Sequence, residues 1–378
     1  MGVTVILVDR SHISVLQIEA MAVQYILAID QGTTSSRALL FDQEGKIAFA
    51  SQKELENIYP KPGWCDHDPN VIWYTVHGCM KDVVAKMGNG AKIVGIGLAN
   101  QRETTVAWSK TTGEPLCNAL VWLDTRTQEI VANLERDGGK DRFRAQTGLP
   151  VATYFSAVKM KWMLENVDAV RTAAESKDLC FGTVDSWLMY KLTGGKVHVT
   201  DVSNAARYML MNIQTLQWEK DVCAAMGIPM DALPCIKSNC EIYGTCQLDF
   251  IGEVPICGSL GDQHAALLGQ GCLKAGEVKN TYGTGCFMVM NTQKMVPSTH
   301  GLLTTMGFQL GPGTDPCYAL EGAVAVAGRS IQWLRDNLEI IESAADVEKL
   351  ASSVEDSGGV TLVPAFSGLF APHWRDDA

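Results

Sequence analysis

The chain has no uninterrupted apolar stretch of the roughly 18–20 residues that a membrane span needs. Its opening, MGVTVILVDRSHISVLQIEA, is moderately apolar, but Asp9, Arg10, His12 and Glu19 interrupt it and no basic segment leads a continuous hydrophobic one. That pattern argues against a secretory leader. Met21 directly precedes the first convincing strand, so residues 1–21 read as a poorly ordered extension or an upstream start. Charge is sparse as well: 19% of residues are charged, the net charge is −11, and no Lys/Arg cluster occurs. Nucleic acid and anionic membrane surfaces are thereby excluded as partners, because neutralising phosphates takes clustered cations. None of the twelve cysteines is spaced Cys-x-x-Cys, and Cys235, Cys240 and Cys246 lack the spacing and histidines of a zinc site. Reduced thiols in a cytoplasmic protein are the expectation. Also missing are G-x-x-x-x-G-K-[ST] and G-x-G-x-x-G, so neither a P-loop nor a dinucleotide fingerprint is present.

What is present is alternation. With 47% hydrophobic residues and 378 in all, the chain has room for two cores. YILAID, RALLFD and KIAFASQKE predict three strands in hairpin succession. NVIWYTVHGCMKDVVAKM predicts a helix and KIVGIGLAN a buried strand. TTVAWSKTTGEPLCNALVW predicts a hairpin turning at Thr-Gly, while TRTQEIVANLER, SAVKMKWMLENV and CFGTVDSWLMYKLTG predict helices, the last stopped by Gly194 and Gly195. EVPICGSLGDQHAALLGQG then predicts strand, turn and helix. VKNTYGTGCFMVMNT repeats the opening device: Gly283-Thr284 stands in its hairpin as Gly32-Thr33 stands in the first. The fold class is α/β, built as two related domains, 22–270 and 271–378, about a cleft.

A Gly-Thr hairpin can wrap phosphate. Glycine lets backbone N–H groups approach the anion, and Thr and Ser hydroxyls add donors. Arg37 can pair with phosphate oxygens, and Asp30 at a strand end can hold a hydrated magnesium ion. A hairpin whose hydroxyls serve only its own turn is the alternative, and the second hairpin tips the balance to phosphate. Asn100-Gln101-Arg102-Glu103 follows a buried strand, which puts Arg102 and Glu103 at its carboxyl end, where open α/β sheets bind ligands. On these residues alone a salt-bridged surface pair is the preferred reading. Asp262 is either a cleft carboxylate or the N-cap of its helix. Trp122, Tyr154 and Phe287, taken singly, read as core aromatics.

DQGTTSSRALLFD, PGWCDHDP, NQRETT, VWLDTRT, TGLPVATYFSAVKMKW, VHVTDVSNAAR, GDQHAAL, KNTYGTGCFMVMNT, ALEGAV and VPAFSGLFAPHW together resemble the glycerol kinases of the FGGY carbohydrate kinase family, from about Tyr25 to Trp374. VWLDTRT and TYFSAVK are closer to animal than to bacterial members. The resemblance implies two ribonuclease-H-like domains of the actin and hexokinase ATPase type around a cleft, the second truncated. It implies ATP- and Mg2+-dependent phosphorylation of glycerol to sn-glycerol 3-phosphate, with ADP released. Carried over by motif, Asp262 is the general base. Arg102, Glu103, Tyr154, Gln263 and Asp262 bind the hydroxyls, and Trp122 and Phe287 flank the carbons. Thr33, Thr34, Ser35 and Arg37 contact the ATP phosphates, with Asp30 near the metal. Gly283, Thr284, Gly328 and Gln332 line the nucleotide side. Family members usually extend further, so exposed apolar faces and self-association are expected, as is doubtful activity in isolation. His264 and Arg329 depart from the family pattern: His264 perturbs the base or packs beside the cleft, and Arg329 crowds the nucleotide side or meets solvent. A glycerol-binding fragment or regulatory form without turnover, and a kinase for another small polyol or sugar, are the competing readings.

Overall fold

A computed structural model describes residues 23–375; the expectation for residues 1–21 lies outside them. β1 (Gln24–Gln31), β2 (Ser35–Phe41) and β3 (Ile47–Glu54) form an antiparallel meander, as their alternation predicts. A short strand, β4 (Asp66–His67), leads into α1 (Pro69–Ala85). The Asp68 carboxylate caps that helix by accepting from Asn70 N–H, and Pro69 occupies the first turn, where no N–H is needed. Ile72, Val76, Met80 and Val83 recur at helical spacing and bury one face against β2 and β3. β5 (Lys92–Asn100) returns parallel to β1.

β6 (Thr105–Ser109) and β7 (Ala119–Leu120) open a second small sheet, order β4–β7–β6–β8. Helices α2 (Gln128–Gly138), α3 (Arg144–Thr147), α4 (Ser156–Asn166) and α5 (Asp168–Glu175) precede its last strand, β8 (Leu179–Thr183). Here the sequence expectation needs correcting. CFGTVDSWLMYKLTG is not one helix: residues up to Thr183 pair with β6, and only α6 (Val184–Leu192) is helical. Every residue of β8 is buried, so the strand shows no alternation to betray it.

β9 (Val199–Asp201), α7 (Val202–Ala205), the β10 (Met211–Asn212)–β11 (Gln217–Trp218) hairpin, α8 (Lys220–Met226), β12 (Cys235–Lys237) and β13 (Gly244–Thr245) follow. β14 (Pro255–Gly261) then adds parallel to β5, completing a six-stranded sheet ordered β13–β14–β5–β1–β2–β3, and runs straight into α9 (Asp262–Gly269). Three antiparallel strands followed by parallel ones is the ribonuclease-H-like arrangement. Register matters more than order: Asn100 lies opposite both Gln31 and Gly261. The chain therefore leaves β1, β5 and β14 at one level of one edge.

The second sheet, β15 (Val278–Tyr282), β16 (Cys286–Gln293), β17 (Leu303–Phe308) and β18 (Cys317–Val324), is antiparallel in the order β15–β16–β18–β17. α10 (Gly328–Asp336) and α11 (Asp346–Ala351) come after it and bury no residue fully. Val278, Tyr282, Met288 and Val324 are exposed on one face of the sheet, so the expected apolar exposure is found. Its other face joins a core shared with the first domain, where Phe287, Leu303 and Ala323 pack with Trp122, Tyr154 and Phe155. Among the described residues no helix is long and apolar enough to cross a membrane.

Gly148 pins this joint. It ends α3 in the left-handed region at φ 76°, and its carbonyl accepts from Thr304 N–H at 3.2 Å. A Cβ there would overlap the Thr304 carbonyl oxygen, whereas one at Gly227, a left-handed cap at φ 69°, meets nothing within 4 Å. Urea unfolding is expected to show Gly227→Ala costing about 1 kcal/mol and Gly148→Ala clearly more. Equal costs would mean that the Thr304 contact does not constrain the joint.

Candidate active site

The shared edge of β1, β5 and β14 opens on a cavity of about 190 Å3. Its walls come from both domains: Thr33, Arg102, Glu103, Trp122, Tyr154, Asp262 and Gln263 from the first, and Thr281, Gly283, Thr284, Gly285 and Phe287 from the second. The two Gly-Thr hairpins thus meet at one space. All seven polyol-site residues named from sequence line it, with Thr33, Gly283 and Thr284 of the phosphate set. Asp30, Thr34, Ser35, Arg37, Gly328 and Gln332 lie outside this lining.

Local chemistry explains how each wall is held. Glu103 sits at φ 58°, a strained conformation for a glutamate and one that clusters at functional positions. Its carbonyl accepts from Thr105 Oγ1 at 2.9 Å and Ser156 Oγ at 3.0 Å, which fixes the kink. Arg102 and Glu103 are at most 3% exposed, so the reading as a surface salt bridge fails. Gly261 is required by close approach, since a Cβ would come within 2.7 Å of the Arg102 side-chain stem. Trp122 is more than a wall: its indole N–H donates to Thr33 Oγ1 at 2.8 Å, tying the aromatic side of the cavity to the first hairpin. Edge-to-face contacts carry the ring order on, Trp122 to Tyr154 at 5.9 Å and Trp122 to Phe287 at 5.7 Å.

Asp262 is the first residue of α9, and Gly261, not Asp262, is its N-cap. The carboxylate accepts from Gln263 N–H at 2.7 Å and lies 3.5 Å from Arg102 Nε, with a third of its side chain open to the cavity. Burial pushes its pKa up, the Arg102 charge opposes this, and the outcome is about 6. His264 is fully buried; burial and then Arg102 hold its pKa well below the usual histidine value, so the ring is neutral and packs beside the cleft.

Arg37 stays with its neighbours, its Nε donating to Gln52 Oε1 at 2.9 Å and its Nη1 lying 3.7 Å from the half-buried Asp30. On the other domain, Gly328 N–H donates to the Gly283 carbonyl at 2.9 Å, and a Cβ at Gly328 would come 2.6 Å from that oxygen. α10 is thereby seated on the second hairpin. Arg329 donates to Gln332 Oε1 and Tyr59 OH, both at 3.1 Å, and its backbone N–H to the Thr284 carbonyl at 3.3 Å.

Three contributors were not foreseen from sequence. Lys279 donates to Gln263 Oε1, to Thr281 Oγ1 at 2.9 Å and to the Phe287 carbonyl at 3.1 Å. With its oxygen so occupied, the Gln263 amide turns its NH2 away from Lys279. Burial, then the Arg102 charge, brings the Lys279 pKa down to about 8. Glu321 and Arg207, remote in sequence, contact Arg102 and Glu103 from behind. The signal for Lys279 and Glu321 was parity: each is the charged residue on the inward side of an alternating strand.

A small cavity bearing a carboxylate and meeting two Gly-Thr turns can set a hydroxyl beside a phosphate chain. The N-terminal domain model of the FGGY family of carbohydrate kinases matches residues 25–269 and the C-terminal domain model matches 278–378. The chain belongs to the FGGY family of carbohydrate kinases. Among its FGGY relatives are the glycerol kinase of Brucella anthropi, 52% identical over 94% of this chain and 72% of the relative. Another is the glycerol kinase of Pseudarthrobacter chlorophenolicus, at 53% over 94% and 71%. The crystal structure of Plasmodium falciparum glycerol kinase with ADP superposes with a TM-score of 0.84 at 38% identity, covering 95% of this chain and 72% of that one. A xylulose kinase from Lactobacillus acidophilus shares the fold, with a TM-score of 0.79 at 23% identity over 94% and 71%.

Because Arg102 opposes the burial of Asp262, its removal is expected to raise the Asp262 pKa above about 6. Carboxyl-carbon NMR of Arg102→Met against the parent measures this directly. A lower or unchanged value would mean that the guanidinium does not govern the carboxylate.

Proposed function

We propose that the chain transfers the terminal phosphoryl group of ATP to a terminal hydroxyl of glycerol, giving sn-glycerol 3-phosphate and ADP. One observation carries the reading: Arg102, Glu103, Tyr154, Asp262 and Gln263 converge, between Trp122 and Phe287, on a small cavity that also receives both Gly-Thr turns. About 190 Å3 is below the ≈ 300–1,000 Å3 of pockets that take drug-sized ligands, which suits a small hydroxylated substrate. Two relatives more than 50% identical are themselves glycerol kinases.

The chemistry follows from the residue types. Glycerol offers three hydroxyls and a short apolar backbone. Glu103 accepts from a hydroxyl, while Arg102, Tyr154 and the Gln263 NH2 donate to hydroxyl oxygens. A substrate missing one hydroxyl leaves a buried partner unpaired, at about 1–3 kcal/mol. Asp262, ionised at neutral pH, takes the proton of the attacking hydroxyl. That oxygen forms the new bond to the γ-phosphorus as the bond to the bridging oxygen of ADP breaks, and Asp262 then returns its proton to water. The first hairpin, with Thr33, Thr34, Ser35 and Arg37, holds the phosphates from one side. Gly283 and Thr284 hold them from the other, with Gly328 and Gln332 on the nucleotide side. Asp30, half-buried at the strand end, offers the hard oxygen donor that Mg2+ prefers. A magnesium ion held there with phosphate oxygens would neutralise charge on the triphosphate. Residues 22–270 thus supply the polyol and phosphate side, 271–378 the nucleotide side, and both substrates belong to the cytoplasm.

A base with a pKa of about 6 must be deprotonated to act, so kcat/KM for glycerol is expected to fall about tenfold per pH unit below pH 6. Asp262→Asn is expected to lose at least about 100-fold in turnover, while calorimetry still detects glycerol. Near-parental turnover in Asp262→Asn, or a flat profile down to pH 5, would refute the assignment.

A further inference from the structure

Arg102 and Glu103 line the cavity, but two charged residues behind them do not. Arg207 follows α7, and Glu321 lies on β18 of the second domain; both are fully buried. Arg102 Nη1 donates to Glu321 Oε2 at 2.6 Å and Nη2 to Glu321 Oε1 at 2.8 Å, a bidentate pair. Arg207 Nη2 lies 3.4 Å from the same Glu321 Oε1, and Arg207 Nε donates to Glu103 Oε1 at 2.6 Å. Arg102 Nε, 4.0 Å from that Glu103 oxygen, closes a ring of alternating charge: Arg102, Glu321, Arg207, Glu103.

We propose that Glu321 and Arg207 are the positioning residues of the polyol site, Glu321 setting the plane of the Arg102 guanidinium and Arg207 the Glu103 carboxylate. The second domain thereby completes the substrate pocket of the first. This rests on the glycerol reading above and adds the residues that enforce it.

Geometry and energetics both favour it. A guanidinium has five N–H groups in a fixed fork, and a bidentate carboxylate on its Nη edge fixes the whole plane. With Glu321 on that edge, the Nε side faces Asp262 at 3.5 Å and Nη2 reaches Tyr154 OH at 3.4 Å. Without Glu321, the Tyr154 hydroxyl at 3.4 Å is a weak hold on that fork against the charge of Asp262. Arg102 would swing toward the base and out of its line to a hydroxyl. Stability alone does not account for the ring, because well-packed apolar side chains usually replace buried ion pairs without loss. A cross-domain clamp on two substrate ligands does account for it.

The test is calorimetry and steady-state kinetics on the full chain carrying Glu321→Gln, Glu321→Asp or Arg207→Lys, with cooperative unfolding recorded for each. Glu321→Gln keeps the shape but sets an amide NH2 against the fork. It is expected to weaken glycerol binding at least tenfold, to change the ATP KM by less than threefold, and to reduce the preference for glycerol over 1,2-propanediol. Glu321→Asp, which keeps the charge at shorter reach, is expected to fall between parent and Glu321→Gln, and it carries the test if Glu321→Gln does not fold. Arg207→Lys is expected to weaken glycerol in the same selective way. Parental glycerol affinity in a folded Glu321→Gln chain would overturn the proposal. So would equal losses for glycerol and ATP, which would mark the ring as merely structural. If the parent itself binds no glycerol, the substrate reading fails first and takes this inference with it.

Discussion

Arg102 and Glu103 are neighbours in the chain, opposite in charge and almost wholly withdrawn from water. Neither could remain there alone, since desolvating an ion costs several kcal/mol even after the protein relaxes. What keeps them charged and buried is the second pair, Glu321 and Arg207, at hydrogen-bonding and ion-pair distances. Burial pushes the Glu321 carboxyl up, yet Arg102 and Arg207 hold it well below the usual carboxylate range. The ring is neutral overall, and removing one member would strand its partner at a cost of about 3–5 kcal/mol. It also crosses the joint between the two domains, so the packing of the second sheet and the geometry of the polyol site are one constraint.

From that constraint the remaining features follow outward. The strained backbone at Glu103 aims its carboxylate inward, and glycine at 261 makes room for the Arg102 stem. Arg102 in turn offsets the desolvation of Asp262, leaving a carboxylate ionised at neutral pH yet more basic than one in water. Trp122 couples this polar corner to the first hairpin through Thr33, and α10 sits on the second hairpin through Gly328. In phosphoryl transfer the protein does little covalent work; positioning and charge carry the rate. A site assembled from rigid strand ends and one closed electrostatic ring suits that demand.

Much of this was legible in the residues. The opening meander announced itself by alternation between Gly-bearing turns, and α1 by its apolar spacing. NQRE at the end of β5 and GD at the end of β14 marked the ligand edge because charge after a buried strand needs a reason. What stayed hidden had no local signature. β8 is buried on both faces and so lost its period. Arg207 lies 104 residues from Glu103, and Glu321 lies 219 from Arg102, separations at which only the folded chain brings partners together. The pairing of Arg37 with Gln52 across β2 and β3 was hidden too, because it depends on register, which spacing alone does not fix.

The central claim is that one small cavity holds a triol against Asp262 while two hairpins grip one triphosphate beside it. A crystal structure with glycerol and a non-hydrolysable ATP analogue tests it most directly. The account predicts the γ-phosphate between the turns at Thr33 and Thr284, with a terminal glycerol hydroxyl within hydrogen-bonding distance of Asp262. A nucleotide phosphate tail bound away from either turn, or glycerol seated without contact to Arg102 and Glu103, would contradict it.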